Sequence, residues 1–413
     1  MRGDVLTFLA RAPVIQLFFL GAISRWFLIP VLYAFSQAMD SYDSCETFFP
    51  PDRPPSLNNW DSVHFYHIAR HGYSHDYLHA FFPLLPAVLR LVAAAGAPPV
   101  AFNILNGVFF GGAVVFLREL SMSRLEKVFS TSPSNARECG AAVLLFLLCP
   151  AAVFTVATYT ESLYCFLTFG GLCMFYCRGR PNVATALFFL ATCCRSNGIV
   201  NVLFIAYPVL CAIVQRCEER RCLATPVRPS GPSATRAASF VVVCNALRCA
   251  IIVAPYFAVN YAGYALHCPL TQTVVSSPVC RGAHHWTGFY QMLQKEYWSV
   301  GWFSSYTMKN SPNFLIAFPA IFFPLRAILM LRCRDLIRCG AALQFLLLWM
   351  LCVTQTHIQV INRVTIACPA LYWVCGRTIV ESPRSACVFA QLFFAVLWIF
   401  LGALLFSNHL PWT

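Results

Sequence analysis

The stretch VIQLFFLGAISRWFLIPVLYAF, residues 14–35, decides the class of fold. It is apolar over about the 20 residues that an α-helix needs to cross the hydrocarbon core of a bilayer. A secretory signal also carries an apolar segment near the N-terminus, but no convincing small-residue cleavage pattern follows this one. We therefore interpret residues 14–35 as an uncleaved first membrane span.

The composition of the whole chain supports the same interpretation. Of its 413 residues, 59% are hydrophobic and only 11% are charged, whereas soluble domains carry about 25% charged residues. A soluble core cannot absorb this much apolar surface, and no soluble domain-sized segment is left over. The sequence thus predicts an all-α polytopic membrane protein, with residues 1–413 forming one integral membrane domain.

Ten further apolar segments bring the predicted number of transmembrane helices to about eleven. They cover residues 99–117, 139–157, 161–177, 182–194, 198–214, 238–260, 313–331, 340–356, 364–379 and 386–406. The segment 182–194 is shorter than the ~20 residues of an ordinary span. It must be tilted or continue into its polar neighbours.

The basic residues predict the topology. Lys and Arg gather in the loops 118–138, 178–180, 216–237 and 332–338. Alternating crossings place these loops on the side of the N-terminus, and the positive-inside rule makes that side the cytoplasm. These loops explain the net charge of +13, so we expect membrane lipid rather than nucleic acid as a partner. This assignment of sides requires that Ala80–Pro98, which is rich in proline, forms an interfacial or re-entrant helix and does not cross the membrane. The alternative is that this segment is a true span.

Five separated segments fall on the opposite, non-cytoplasmic face. They are the first loop 36–98, the turns YTES (159–162) and CRSNG (194–198), the large loop 261–312 and the polar segment THIQVINR (356–363). Polar residues at membrane depth are costly and mostly functional. We therefore expect these segments to converge on one site.

Two carboxylates are candidates for this site. Asp61 follows two asparagines and Trp60, and it either caps a short helix or acts as a general base made more basic by desolvation. Glu161 stands at the start of an apolar segment. It either caps that helix through the helix dipole or contacts substrate, and the sequence does not decide between the two.

Two arginines are candidates for binding phosphate. Arg195 interrupts two apolar segments on the side where the charge rule disfavours a merely topological arginine. The guanidinium group binds phosphate through two parallel hydrogen bonds. Arg363 supports the same argument more weakly.

The segment NNWDSVHFYHIARHGYSHDYLHAFFP, residues 58–83, holds histidines at positions 64, 67, 71, 75 and 79. Steps of three and four residues would suit a metal on a helix face, but Gly72-Tyr73 is expected to break that helix. We favour a hydrogen-bonding imidazole cluster and predict no metal site. Cys45, Cys268 and Cys280 fall in predicted loops, so two of them can form a disulfide if those loops face an oxidising lumen.

The motif WDSVHFYHIARHGY…AFFPLLP resembles the signature of the phosphatidylinositol-glycan class V family of GPI mannosyltransferases. The resemblance continues through YTESLY, RSNG, YWSVGWFSSYTMKNSPNFLIAFP (297–319), QVINRVTIACPALYW (359–373) and the terminal PWT. It covers most of the chain in order, and the six motifs together are specific. It implies a GT-C-type glycosyltransferase fold with interfacial helices in the first lumenal loop, in the membrane of the endoplasmic reticulum.

The same resemblance implies the chemistry. Members are dolichyl-phosphate-mannose-dependent and add the second mannose of the GPI precursor in α1,6 linkage, with inversion and without a cofactor. The partners are then a lipid-linked donor, a GPI-precursor acceptor and, as a further expectation, a small membrane subunit. The alternatives are a GT-C transferase with another acceptor and a non-catalytic subunit of GPI processing.

The resemblance also assigns roles to residues of this sequence. The family-like pattern takes in Asp61, His64 and His71, and we predict that Asp61 is the catalytic base. Arg195 is the first choice for binding the leaving phosphate, with His64, His71 and Arg363 behind it. The full set of predicted substrate-binding residues is Trp60, His64, His71, Glu161, Arg195, Asn197 and Arg363.

Overall fold

The computed structural model describes residues 4–39, 57–128, 135–211, 232–268, 277–282, 285–330 and 340–410. In these ranges the chain forms helices, turns and irregular segments, without a β-strand. The helices, in chain order, are α1 Val5–Arg11, α2 Val14–Trp26, α3 Leu28–Ser36, α4 Ser62–His71, α5 Leu84–Ala94, α6 Ala101–Val128, α7 Asn135–Leu147, α8 Glu161–Leu172, α9 Pro181–Cys194, α10 202–211, α11 Pro232–His267, α12 Pro278–Gly282, α13 Phe289–Trp298, α14 Ser311–Met330, α15 Gly340–Thr354, α16 Ile361–Val364, α17 Pro369–Glu381 and α18 Ala386–Ser407.

Four helical stretches in the described ranges are long and apolar enough to cross a membrane. They are Val14–Ser36, Ala101–Ser123, Ser239–His267 and Ala386–Ser407. A fifth crossing is available if Ile358–Val364 and Pro369–Glu381, which meet at a bend of 92°, form one broken span. Shorter apolar helices fill in between them. The prediction of an all-helical polytopic membrane protein is therefore confirmed.

Helix α18 shows how the lipid-facing surface is built. Phe389, Phe393 and Phe400 are exposed and recur at steps of four and seven residues, so they form an apolar stripe along one face. The opposite face buries Phe394 and Phe406 against the protein. A soluble helix would show charged residues on its outer face, so this reversed pattern is typical of a helix surrounded by lipid.

The core of the bundle centres on Phe146 of α7. Its ring contacts Phe110 of α6 at a centroid distance of 4.6 Å, Phe169 of α8 at 5.4 Å and Tyr372 of α17 at 5.2 Å. Four helices that are distant in sequence thus meet at one aromatic cluster, which fixes their positions relative to one another.

The predicted span 139–157 differs from the structure. Helix α7 ends at Leu147, and Cys149 and Pro150 lead into an irregular segment. Proline has no backbone N–H and cannot continue the helix. The buried side chain of Arg25 then donates to the carbonyl of Leu147 at 3.0 Å and its guanidinium lies 3.7 Å from the Phe110 ring centroid. A cation on the free carbonyls stabilises the helix end inside the bundle.

The segment Ala80–Pro98 contains only the 11-residue helix α5. At 1.5 Å per residue it extends about 16 Å, roughly half of the ~30 Å hydrocarbon thickness. Together with the 10-residue α4, it matches the short helices predicted for the first loop.

The structure pairs Cys268 with Cys280 in a disulfide. This settles the prediction for two of the three loop cysteines, while Cys45 lies outside the described residues.

Candidate active site

A cavity of about 490 Å³ opens where the five predicted polar segments meet. Its lining residues include Asp61, Phe81 and Phe82 from the first loop, Thr160, Arg195 and Ser196 from the two turns, Tyr290, Gln294 and Trp298 from α13, and His357, Gln359 and Arg363 from the segment before α17. The predicted convergence of these five segments is therefore observed, and three of the predicted site residues, Asp61, Arg195 and Arg363, line one cavity.

These three residues join Glu161 in a continuous ionic network. Glu161 Oε1 accepts from Arg195 Nη1 at 2.7 Å and from Arg363 Nε at 2.8 Å. The Nη2 of Arg363 reaches Asp61 Oδ2 at 3.3 Å. Arg195 Nη1 also lies 3.2 Å from the Thr160 hydroxyl. Two carboxylates and two guanidinium groups thus form a set with no net charge.

Exposure separates the members of the network by role. The Glu161 side chain is fully buried, those of Arg195 and Arg363 are about 15% exposed, and that of Asp61 is 35% exposed. Glu161 is therefore an internal counter-ion that aligns both arginines, whereas Asp61 presents its carboxylate to the cavity. Asp61 is the N-cap residue of α4, but its side chain makes no capping hydrogen bond. Glu161 is the first residue of α8, where the helix dipole also favours its negative charge.

Two aromatic rings pack against the guanidinium group of Arg363. Its guanidinium carbon lies 4.4 Å from the Phe154 ring centroid and 4.9 Å from that of Tyr159. Rings at this distance attract a cation and exclude water from one of its faces. The remaining hydrogen-bonding edge of Arg363 is directed by Glu161 and Asp61.

The backbone just before Asp61 is strained. Trp60 has a φ of 57°, in the left-handed region that costs a bulky residue ~1–3 kcal/mol. The Tyr159 hydroxyl holds the turn by accepting from the Asp61 backbone N–H at 3.0 Å and donating to the Asn59 carbonyl at 3.3 Å. Asn59 Nδ2 in turn donates to the Phe406 carbonyl at 2.7 Å. The turn is therefore fixed from two sides and holds Asp61 at the cavity.

Buried asparagines hold the irregular segment that carries Tyr159 and Thr160. Asn103 Nδ2 donates to the Val156 carbonyl at 2.9 Å, and Asn106 Nδ2 donates to the Ala157 carbonyl at 2.6 Å. Both asparagines belong to α6 and are fully buried. They donate to backbone carbonyls of this irregular segment and so attach it to α6.

Arg195 owes its position to the end of α9. It is the extended residue that follows the helix, and a tight turn returns the chain over α9. A Cβ at Gly198 would lie 2.5 Å from the Ala191 carbonyl oxygen. Only glycine allows this close approach, which explains the glycine of the RSNG motif.

The other predicted site residues lie outside the cavity lining. Trp60 packs near the His409 ring, and Asn197 Nδ2 lies 3.5 Å from the Val364 carbonyl. His64 packs behind Phe81 at a ring distance of 4.7 Å, and burial lowers its pKa against the opposing effect of Asp61. His71 is exposed beside His67. Their predicted substrate roles stay predictions.

The five histidines of residues 58–83 do not share one helix, as expected. Gly72, with a φ of 74°, ends α4 directly after His71. The rings of His67, His71 and His75 lie together at the surface, with centroid distances of 5.1 and 6.2 Å from His67. In the described parts of the chain, no group of three His, Cys, Asp or Glu side chains is arranged to hold a metal ion.

Helix α13 is anchored beside the cavity by Asp76. The carboxylate of Asp76 accepts from the Tyr297 hydroxyl at 2.7 Å and from the Ser277 hydroxyl. Burial opposes the charged form, but these hydrogen bonds outweigh it and hold the pKa of Asp76 below its ordinary value. Ser277 stands close in sequence to the disulfide-bonded Cys280, so the cross-linked segment supports α13.

Several cavity residues were not predicted from the sequence. They are Tyr290, Gln294, Trp298, His357 and Gln359. Most are neutral polar residues, which carry no topological signal. Two indications were available: His357 and Gln359 interrupt an apolar stretch, and Trp298 and Gln359 fall in motifs of the family resemblance.

Comparison with known proteins gives a family match. The family model described as "Mannosyltransferase (PIG-V)" matches residues 52–336. This region contains Asp61, Glu161 and Arg195.

The chain belongs to the PIG-V mannosyltransferase family.

Relatives within this family come from fungi and mammals. The chain is 26% identical to "GPI mannosyltransferase 2" of Schizosaccharomyces pombe over 85% of its own length and 72% of the relative's. It is 28% identical to "GPI alpha-1,6-mannosyltransferase 2" of Homo sapiens over 72% of its own length and 65% of the relative's. It is 25% identical to "GPI mannosyltransferase 2" of Yarrowia lipolytica over 90% of its own length and 92% of the relative's. No solved structure matches this chain.

Proposed function

We propose that this chain transfers the second mannose, in α1,6 linkage, from dolichyl-phosphate mannose to the one-mannose GPI precursor. Family membership and the names of the relatives support a GPI mannosyltransferase. The single observation that carries the mechanism is the cavity in which Asp61 lies beside two arginines aligned by a buried glutamate.

Each part of this network has a task in the reaction. The acceptor 6-hydroxyl oxygen attacks the anomeric carbon of the donor mannose, its proton passes to Asp61, and the bond from that carbon to the phosphate oxygen breaks. Attack opposite the leaving group converts the β-linked donor into an α-linked product. Dolichyl phosphate leaves as an anion, so it needs cations rather than an acid, and Arg195 and Arg363 supply them.

The proposal extends to architecture and location. We place the chain in the GT-C class, with about eleven crossings of the endoplasmic reticulum membrane and the cavity on the lumenal side. The short apolar helices between the four long ones support more crossings than the long helices alone. A small membrane subunit is included as an additional partner, to be sought by copurification.

The function is tested with purified protein in defined lipid. Dolichyl-phosphate mannose and a labelled one-mannose GPI precursor are supplied, and the product is digested with a linkage-specific α-mannosidase. We expect a two-mannose product with an α1,6 bond. Transfer only to another acceptor, or no transfer by the purified chain with or without copurifying subunits, would refute the assignment.

The orientation of the first loop gives a prediction of its own. An N-glycosylation acceptor inserted beside Asp52 should be modified, because the positive-inside rule places that loop in the lumen. The same acceptor inserted beside Ser230 should remain unmodified. A gel shift that is removed by endoglycosidase measures both, and the reverse pattern would overturn the topology.

Metal removal gives a second prediction. Transfer should persist in membranes that have been washed extensively with a chelator, because the two arginines stabilise the leaving phosphate without a Lewis acid. The rate is compared with that of untreated membranes at equal protein. Loss of activity that one divalent cation restores would make the surface histidines candidates for a ligand set.

A further inference from the structure

His357 lines the cavity but is not a member of the ionic network. Its Nε2 lies 2.6 Å from the carbonyl oxygen of Trp298, the last residue of α13. A carbonyl oxygen can only accept, so Nε2 must carry the hydrogen. In the neutral ring this leaves Nδ1 with a lone pair and no hydrogen.

This tautomer restricts the groups that His357 can bind. An unprotonated Nδ1 accepts hydrogen bonds but cannot donate them, so it repels a phosphate oxygen and attracts a hydroxyl group. Gln294 and Gln359, which line the same cavity, are also uncharged. The cavity thus combines an ionic network whose two arginines can bind phosphate with neutral polar residues suited to sugar hydroxyls.

We propose that His357 binds a hydroxyl group of a mannose residue through Nδ1, with Nε2 anchored on the Trp298 carbonyl. The inference rests on the proposed mannosyl transfer and adds a sugar-binding residue to it. Both substrates carry mannose, so the hydroxyl belongs either to the donor or to the acceptor, and the kinetics distinguish them.

Two substitutions separate binding from scaffolding. In His357→Gln the longer amide reaches the position of Nε2, so it keeps a donor for Trp298 and loses the acceptor at Nδ1. In His357→Asn the shorter amide places an oxygen near Nδ1 and loses the bond to Trp298. His285→Gln is the matched control, because His285 is exposed and its ring bonds to the nearby Thr287 hydroxyl at 3.2 Å, away from the cavity lining.

The measurement is KM for each substrate with the other saturating, at matched protein levels and with thermal stability recorded. We expect His357→Gln to raise one KM by about three- to tenfold, the effect of one lost hydrogen bond, with unchanged stability. A higher acceptor KM assigns the hydroxyl to the GPI precursor, and a higher donor KM assigns it to the transferred mannose. His357→Asn should retain more of that affinity and lose stability.

The opposite order would overturn the inference. If His357→Gln has wild-type KM values for both substrates and only His357→Asn is impaired, His357 is a structural anchor. These outcomes are read relative to wild type, so they are distinct from failure of the proposed function, in which wild type itself does not transfer mannose.

Discussion

Asp61→Asn is expected to lower mannosyl transfer by about 10²–10⁴ while leaving the protein folded. The amide has nearly the same size as the carboxylate, and the Asp61 backbone N–H keeps its bond to Tyr159. The side chain can still approach Arg363, but it cannot take the proton of the acceptor hydroxyl. Turnover per molecule, at matched protein in the membrane, is the quantity to measure.

The control for Asp61 is Glu381→Gln. Glu381 also pairs with an arginine, Arg377, at 2.6 Å, but this pair is on the surface at the end of α17. Its removal should leave turnover unchanged, since exposed pairs contribute little. Near wild-type turnover of Asp61→Asn would mean that the base is another residue, and the mechanism would fail.

Glu161→Gln is expected to impair both folding and activity. Glu161 is the only carboxylate that contacts both Arg195 and Arg363 in the described structure, and it is fully buried. Removing one partner from a buried ionic set costs ~3–5 kcal/mol, because the remaining charge stays desolvated. Loss of this size approaches the total stability of many domains. The amount of protein in the membrane and the temperature of thermal unfolding in detergent should both fall.

Glu161→Asp provides the comparison. It retains the charge with a shorter side chain, so it should restore much of the stability and only part of the turnover, because the arginines are no longer aligned. If Glu161→Gln accumulates and works like wild type, the buried glutamate is not the counter-ion that positions the phosphate-binding groups.

The sequence predicted most of the charged part of the site and less of its surroundings. Asp61, Arg195 and Arg363 stand out because a charge next to an apolar segment needs a reason. Their assembly with Glu161 into one ionic network joins segments that are distant in sequence, and hydropathy does not encode that juxtaposition. The neutral residues of α13 gave no signal, because polar side chains are ordinary in a loop.

The fold, like the site, was predictable from the sequence only in part. The segments 14–35 and 386–406 were located well because length and apolarity alone define such spans. The segment 139–157 was not, because its apolar residues continue past Pro150 in an irregular conformation. That conformation is stabilised by Asn103 and Asn106 from another helix, and such a tertiary contact leaves no local pattern.

Arg25 has a consequence for the biogenesis of the chain. It lies near the middle of the first span, Val14–Ser36, and its partner, the carbonyl of Leu147, follows 122 residues later. At the ~5–20 residues per second of synthesis, that partner emerges roughly 6 to 24 s after Arg25. During this interval a guanidinium in the hydrocarbon would cost ~2.5–3.5 kcal/mol on an insertion scale. The first span is therefore less stable in the hydrocarbon until α7 arrives, and its membrane entry and the packing of the bundle are energetically coupled.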